Sequence, residues 1–141
     1  MSEYPDAVDP GKVGSYPAVA GAGGGYVWDD VLEYRVWCHP ERGAKVHQNG
    51  DDYYYAFAIY SDAVDCFQHT SGAEEPLALI LQREYIDEPE SGEFRHVKEP
   101  RVAEWSVQFL KRQKRTSSTL TDFFAPDAPA NKLDIIRGLV K

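Results

Sequence analysis

Two stretches of alternating side chains set the framework. Residues 53–60 read Tyr-Tyr-Tyr-Ala-Phe-Ala-Ile-Tyr, so an extended chain carries Tyr53, Tyr55, Phe57 and Ile59 on one face and Tyr54, Ala56, Ala58 and Tyr60 on the other. A strand apolar or aromatic on both faces needs cover on both. Within residues 26–38, Leu32, Tyr34, Val36 and Cys38 share one face, and Val31, Glu33, Arg35 and Trp37 the other. Glu33 and Arg35, two residues apart on one face, predict an ion pair within the sheet. His39-Pro40 ends this strand, because proline lacks the ladder donor and restricts the residue before it. The polar residues 40–52, with an Asn49-Gly50 turn signal, then form a long hairpin loop. Loops longer than about 12 residues are often functional, which makes this one a candidate binding loop.

Periodicity changes after residue 60. Ser61 is placed to cap a short helix running to about Thr70, with Ala63, Val64 and Phe67 as its apolar stripe and Ser71-Gly72 as its stop. Residues 77–86 open with five apolar positions, as in a strand buried on both faces, and become charged from Gln82 onward. An acidic turn over 87–92 follows. Residues 94–97 and 101–105 read as one strand interrupted at Pro100. Ser106 can cap a helix through Val107, Phe109 and Leu110 into the basic residues 111–115. Thr119 and Asp122 fit a capping pattern that Pro126 cuts short, and Leu133, Ile136 and Val140 line a last helix over 131–140.

This order predicts an α+β fold, a mostly antiparallel sheet of about four strands covered by short helices. Residues 26–141 form one domain. Residues 1–25 hold Pro5, Pro10, Pro17 and the Gly23-Gly24-Gly25 run without any period, and are expected to be a flexible arm. The glycines precede the first strand, whereas a phosphate loop would follow a strand and open a helix; a hinge is the expected role.

Charge is unevenly distributed. Residues 1–105 carry −12 and residues 106–141 carry +4, within a net charge of −8. An acidic body argues against wrapping nucleic acid, and no stretch approaches the roughly 20 apolar residues of a membrane helix. Two cysteines, without a CxxC pairing or a secretory leader, point to the cytoplasm. Cys38, His39, His47, Cys66 and His69 supply no second closely spaced ligand pair, so no metal site is expected. No catalytic residue is assigned either, since neither Gly-x-Ser-x-Gly nor a helper motif for a Cys-His pair occurs.

Two candidate surfaces remain. Arg83 and Glu84 interrupt an otherwise apolar strand and, with Arg35, mark a candidate polar cleft. Lys111, Arg112, Lys114 and Arg115 form the densest local charge and are candidates for binding an unidentified protein or small-molecule partner. Binding without a cofactor is the leading expectation.

Four segments, residues 34–40, 54–57, 72–77 and 82–86, carry a resemblance covering roughly 26–140. It is to a group of small alphaproteobacterial proteins that often bear the label of GCN5-related N-acetyltransferases (GNAT). The resemblance implies a mixed α/β sheet, acetyl-CoA as cofactor and acetyl transfer to an amine. That family cradles pyrophosphate with a Gln/Arg-x-x-Gly-x-Gly/Ala loop between a strand and a helix. Here Gln82-Arg83 is followed by Glu84-Tyr85-Ile86-Asp87, without the glycine, so no catalytic or cofactor residue carries over.

Overall fold

A computed structural model describes residues 4–19, 24–47 and 50–137. Six strands build two antiparallel sheets: β1 (Asp30–Cys38), β2 (Tyr53–Phe57), β3 (Leu77–Gln82) and β6 (Arg101–Ser106) in the order β2-β1-β3-β6, and the hairpin β4 (Tyr85–Glu90) with β5 (Glu93–Val97). Three short helices complete the α+β fold: α1 (Tyr60–Gln68), α2 (Thr119–Phe123) and α3 (Lys132–Ile136). The chain divides into two compact units, Met1–Ala18 with Val31–Leu79 and Val19–Asp30 with Ile80–Lys141.

In the first unit β1 and β2 pair antiparallel, with Tyr34 opposite Phe57 and Cys38 opposite Tyr53. Both faces of β1 are buried, and residues 4–17 supply part of the cover on each. The Tyr34 hydroxyl donates to the Pro5 carbonyl, and Tyr4 and Tyr34 both pack edge-on against Tyr60 of α1. On the opposite face, Glu33 and Arg35 are 0% exposed and form the expected pair at 2.7 Å. The Gly14 N–H donates to Glu33 at 2.8 Å, and Arg35 donates to the Pro17 carbonyl at 2.7 Å. Because neighbouring strand residues face opposite ways, the segment that caps Tyr34 must pass round the strand to reach Glu33. It crosses where Ala7 N–H bonds Ala58 O and Val8 N–H bonds Val31 O, both at 2.8 Å. Residues 4–17 are thus bonded to the strand on both of its faces. Of the glycine cluster, only Gly24 and Gly25 are among the described residues.

The second unit is centred on Val27, Ile86, Leu120, Phe123 and Ile136, with Phe94, Phe124 and Leu133 packed against them. Gly24 makes this possible by holding φ +80, where a Cβ would lie 2.2 Å from the Ile86 carbonyl oxygen. Arg137 donates to the Gly24 carbonyl at 2.6 Å and ties the end of α3 to the same point.

Several boundaries differ from the sequence expectation. The aromatic strand stops at Phe57, and α1 begins at Tyr60 with Ile59 in the cap position, so Ser61 lies inside the first turn rather than capping it. The strand expected over 77–86 breaks at Arg83-Glu84, and β4 continues through Asp87, Glu88 and Pro89; the turn lies at Ser91-Gly92. Proline is tolerated there because β4 is an edge strand of a two-stranded sheet with an irregular register between Asp87 and Glu90. The interrupted strand is two strands in two sheets. Ser106 leads into a 3-10 turn, Val107–Lys111, instead of an α-helix, and Val140 of the last helix lies outside the described residues.

Tyr34 makes a test of the packed arm. Burial holds its phenol above the ordinary tyrosine value, with smaller contributions from Asp6, Tyr4 and Tyr60. The unfolded chain ionises this group near pH 10, so the stability from keeping it neutral is complete below about pH 10 and is lost as pH rises beyond. Urea unfolding of Tyr34→Phe should show a loss of about 1 kcal/mol at neutral pH, from the hydrogen bond to Pro5. Above about pH 10 its stability should decline less steeply than that of the parent, by up to ~1.4 kcal/mol per pH unit. Parallel declines would mean that the phenol is not sealed by the arm.

Candidate functional site

The basic run is expected to act as one patch, but the fold sends its four cations in three directions. Lys111 closes the 3-10 turn and is exposed. Arg115 turns to Asp29, its Nε donating to Oδ1 at 3.0 Å, while its backbone N–H bonds the Trp28 carbonyl at 2.9 Å. Lys114 Nζ lies 3.6 Å from Asp30 Oδ1. Both acidic residues precede or open β1, where Asp29 is anchored by its own N–H to Leu81 O at 3.0 Å. Two of the four cations are therefore spent on the acidic pair.

Arg112 goes inward. Its carbonyl accepts from Trp28 Nε1 at 2.7 Å and its Nη1 donates to the Ile135 carbonyl at 2.8 Å, which joins the segment before α2 to α3. Between these segments lies a cavity of about 340 Å³, lined by Arg112, Thr116, Thr119, Asp122 and Lys132 as polar groups and by Phe123, Ile135 and Ile136 as apolar wall. The Arg112 Nε is buried and has no hydrogen-bond partner among the described residues. Burial lowers the guanidinium pKa from its ordinary value, offset in part by Tyr26; arginine nonetheless stays charged in proteins. Lys132 extends its ammonium over Phe123, 4.6 Å from the ring centroid, and 5.3 Å from that of Phe94. Thr116 and Thr119 hydroxyls lie 3.2 Å apart and the Thr116 N–H donates to Thr119 Oγ1, so the lip is rich in donors and acceptors.

Of the residues expected to mark a polar cleft, Arg35 belongs to the first unit and Arg83 and Glu84 to the second. Partners of Arg35 in the first unit include Glu33, the Tyr16 and Pro17 carbonyls, and the Tyr54 ring 4.3 Å away. Those of Arg83 and Glu84 lie in the second. Arg83 donates through its backbone to Asp29 at 2.7 Å and through Nη2 to Asp30 at 2.7 Å. Glu84 stands 3.4 Å from His96 Nε2 and 3.5 Å from Arg115 Nη1. These are charge pairs that close a turn. Beside them, the fully buried Gln82 donates to the Val27 carbonyl at 2.6 Å and accepts from Arg101 Nε at 2.7 Å. Strand β3 leads through this turn into the β4 hairpin, where an acetyltransferase strand would lead into a helix.

Sequence reasoning singled out Arg112 but missed Lys132, Thr116 and Thr119. Only the basic run was visible as a signal, and nothing in linear spacing joins Arg112 to Lys132. No family model, curated protein or solved structure matches the chain.

The division of the run can be measured without any ligand. Arg115→Ala removes a charged partner from the buried Asp29 and should cost on the order of 2–3 kcal/mol in urea unfolding. Lys111→Ala should fall within about 0.5 kcal/mol of the parent. Equal effects would contradict the assignment of Arg115 to the fold and Lys111 to solvent.

Proposed function

We propose that this chain is a small cytosolic binding protein whose second unit takes a small anionic ligand, one bearing a phosphate or carboxylate on an apolar body. The observation that carries this reading is the pairing of two cations, the half-buried Arg112 and Lys132, on the wall of one cavity with an apolar side. An anion placed there would take charge-assisted hydrogen bonds from both, which are roughly twice as strong as neutral ones. The cavity, about 340 Å³, falls near the lower end of the roughly 300–1,000 Å³ typical of small-molecule sites. Its mixed lining also fits the role. Lys132 and the threonine hydroxyls supply further donors, and Phe123, Ile135 and Ile136 supply apolar contact. Asp122 sits on the same wall and would select ligands carrying a hydroxyl or amine beside the anion. Two cysteines without a partner in each other support the placement in the cytosol, where thiols are kept reduced.

Phenyl phosphate, inorganic phosphate and acetyl-CoA serve as probes in thermal unfolding of the full chain. A ligand at about a hundred times its dissociation constant stabilises by roughly 2.7 kcal/mol. Phenyl phosphate should raise Tm more than inorganic phosphate, because the apolar wall adds contact. Arg112→Met and Lys132→Met should each abolish the rise, and the lysine variant, whose side chain makes no backbone bond among those described, guards against loss of fold. No rise with either phosphate, or a rise both variants retain, overturns the reading. A rise with acetyl-CoA alone would replace it with acyl-CoA chemistry.

A further inference from the structure

A second cluster, in the first unit, has no part in the anion site. His39 follows β1 directly, and its backbone is held at three points: N–H to Gly72 O at 2.9 Å, and O from the N–H groups of Arg42 at 2.9 Å and Ala44 at 3.2 Å. Gly72 is required for this. It adopts φ +74, and a Cβ there would lie 2.3 Å from Ala44 N and 2.8 Å from His39 O. The backbone of His39 is therefore fixed, and its side chain is only 10% exposed.

Carboxylates approach it from three separate loop positions. Asp52 Oδ1, just before β2, is 3.0 Å from Nδ1, and Glu74 Oε1, just before β3, is 2.7 Å from Nε2. Glu41, in the 3-10 turn Pro40–Arg42, joins them: His39, Glu41 and Asp52 each present one donor atom, all within 4.8 Å of one another. Yet neither ring nitrogen has a hydrogen-bond partner among the described residues. Asp52 at Nδ1 and Glu74 at Nε2 stand there as charge partners of the ring.

Exposed carboxylates alone would mean little; the buried imidazole aimed among them is what asks for a ligand. Nitrogen and oxygen ligands bind zinc at about 2.0–2.2 Å, so adjacent donors on one ion lie about 3 Å apart at right angles and about 3.4 Å apart in a tetrahedron. The Nδ1 to Oδ1 separation of 3.0 Å matches such an edge. Nε2 faces Glu74, which Arg42 Nη1 holds at 3.1 Å. A carboxylate behind the second ring nitrogen is the usual means of orienting a metal-bound histidine. Against three carboxylates stands one guanidinium, so the local charge favours a cation.

We propose that His39 Nδ1, Glu41 and Asp52 bind a divalent transition-metal ion, with Glu74 as a positioning residue behind the imidazole. One imidazole with carboxylates suits Zn²⁺ or Mn²⁺ rather than Ca²⁺, and affinity rises from Mn²⁺ to Zn²⁺. Asp52 also lines an open pocket with His47, Asp51, Tyr53 and Tyr55, which leaves room for water to complete the coordination shell.

Calorimetric titration of the full chain with ZnCl₂, MnCl₂ and MgCl₂ tests this. One equivalent of Zn²⁺ should bind, Mn²⁺ more weakly at the same stoichiometry, and Mg²⁺ least. Glu41→Gln and Asp52→Asn, at exposed positions, should each weaken Zn²⁺ by at least about tenfold while leaving Tm without metal unchanged; Glu74→Gln should weaken it about 10–100-fold. His47→Ala should bind as the parent does. Nitrogen NMR of the His39 ring should show Nδ1 shifting on Zn²⁺ addition. Absence of stoichiometric uptake overturns the proposal, as does uptake unchanged in Glu41→Gln and Asp52→Asn. A His39 ring doubly protonated and indifferent to Zn²⁺ would identify an imidazolium clasped between carboxylates instead.

Discussion

Burying an ion pair inside a strand obliges the chain to find partners for every remaining polar atom, and in the first unit that obligation falls on Glu33 and Arg35. Both are wholly buried. Moving each charge out of water costs several kcal/mol, and their mutual attraction repays it only when the leftover donors and acceptors are satisfied. The N-terminal segment does this through Gly14 and Pro17, while the Tyr54 ring covers the guanidinium face and its hydroxyl donates to Tyr16 O at 3.0 Å. Removing the segment would strand both charges against a wet, poorly matched surface. A proline- and glycine-rich stretch without periodicity thus becomes part of the folded sheet, held by backbone groups rather than by an apolar stripe.

The second unit solves a related problem differently. At the polar end of β3, Gln82 donates to the Val27 carbonyl and accepts from Arg101, and the Asp29 carboxylate accepts from Arg115, so the turn between β3 and β4 is closed by polar and charged contacts. Arg101 lies over the Tyr85 ring at 4.1 Å, which covers a guanidinium whose pKa burial lowers. With Lys114 and Arg115 engaged, Arg112 is the cation of the run that turns into the cavity.

How much of this was legible follows from which signals are local. Alternation located β1 and β2, a continuous apolar run located the first half of β3, and the i, i+2 spacing of Glu33 and Arg35 foretold their pair. Residues 94–97 and 101–105 looked like one strand because sheet membership is a tertiary property, decided by which edge is free. The β4 strand was hidden by Asp87, Glu88 and Pro89, whose propensities oppose a strand but are tolerated at an edge. The cavity was half visible, through its basic segment. His39 was weighed as a metal ligand beside cysteines and other histidines; its actual neighbours, Glu41, Asp52 and Glu74, come from three loops whose approach depends on the bridge between Cys38 and Ala73 and on the left-handed Gly72.

The arm is held by the buried pair, and one amide reports on this directly. Native-state hydrogen exchange of the Gly14 N–H, which bonds Glu33 Oε1, should be protected to a similar degree as the β1 amides, and Arg35→Met should release it together with them, since exchange then requires opening of the same cooperative unit. Exchange of Gly14 at the rate of an exposed loop, with β1 still protected, would show that the arm leaves the sheet freely and that Glu33 and Arg35 are satisfied without it.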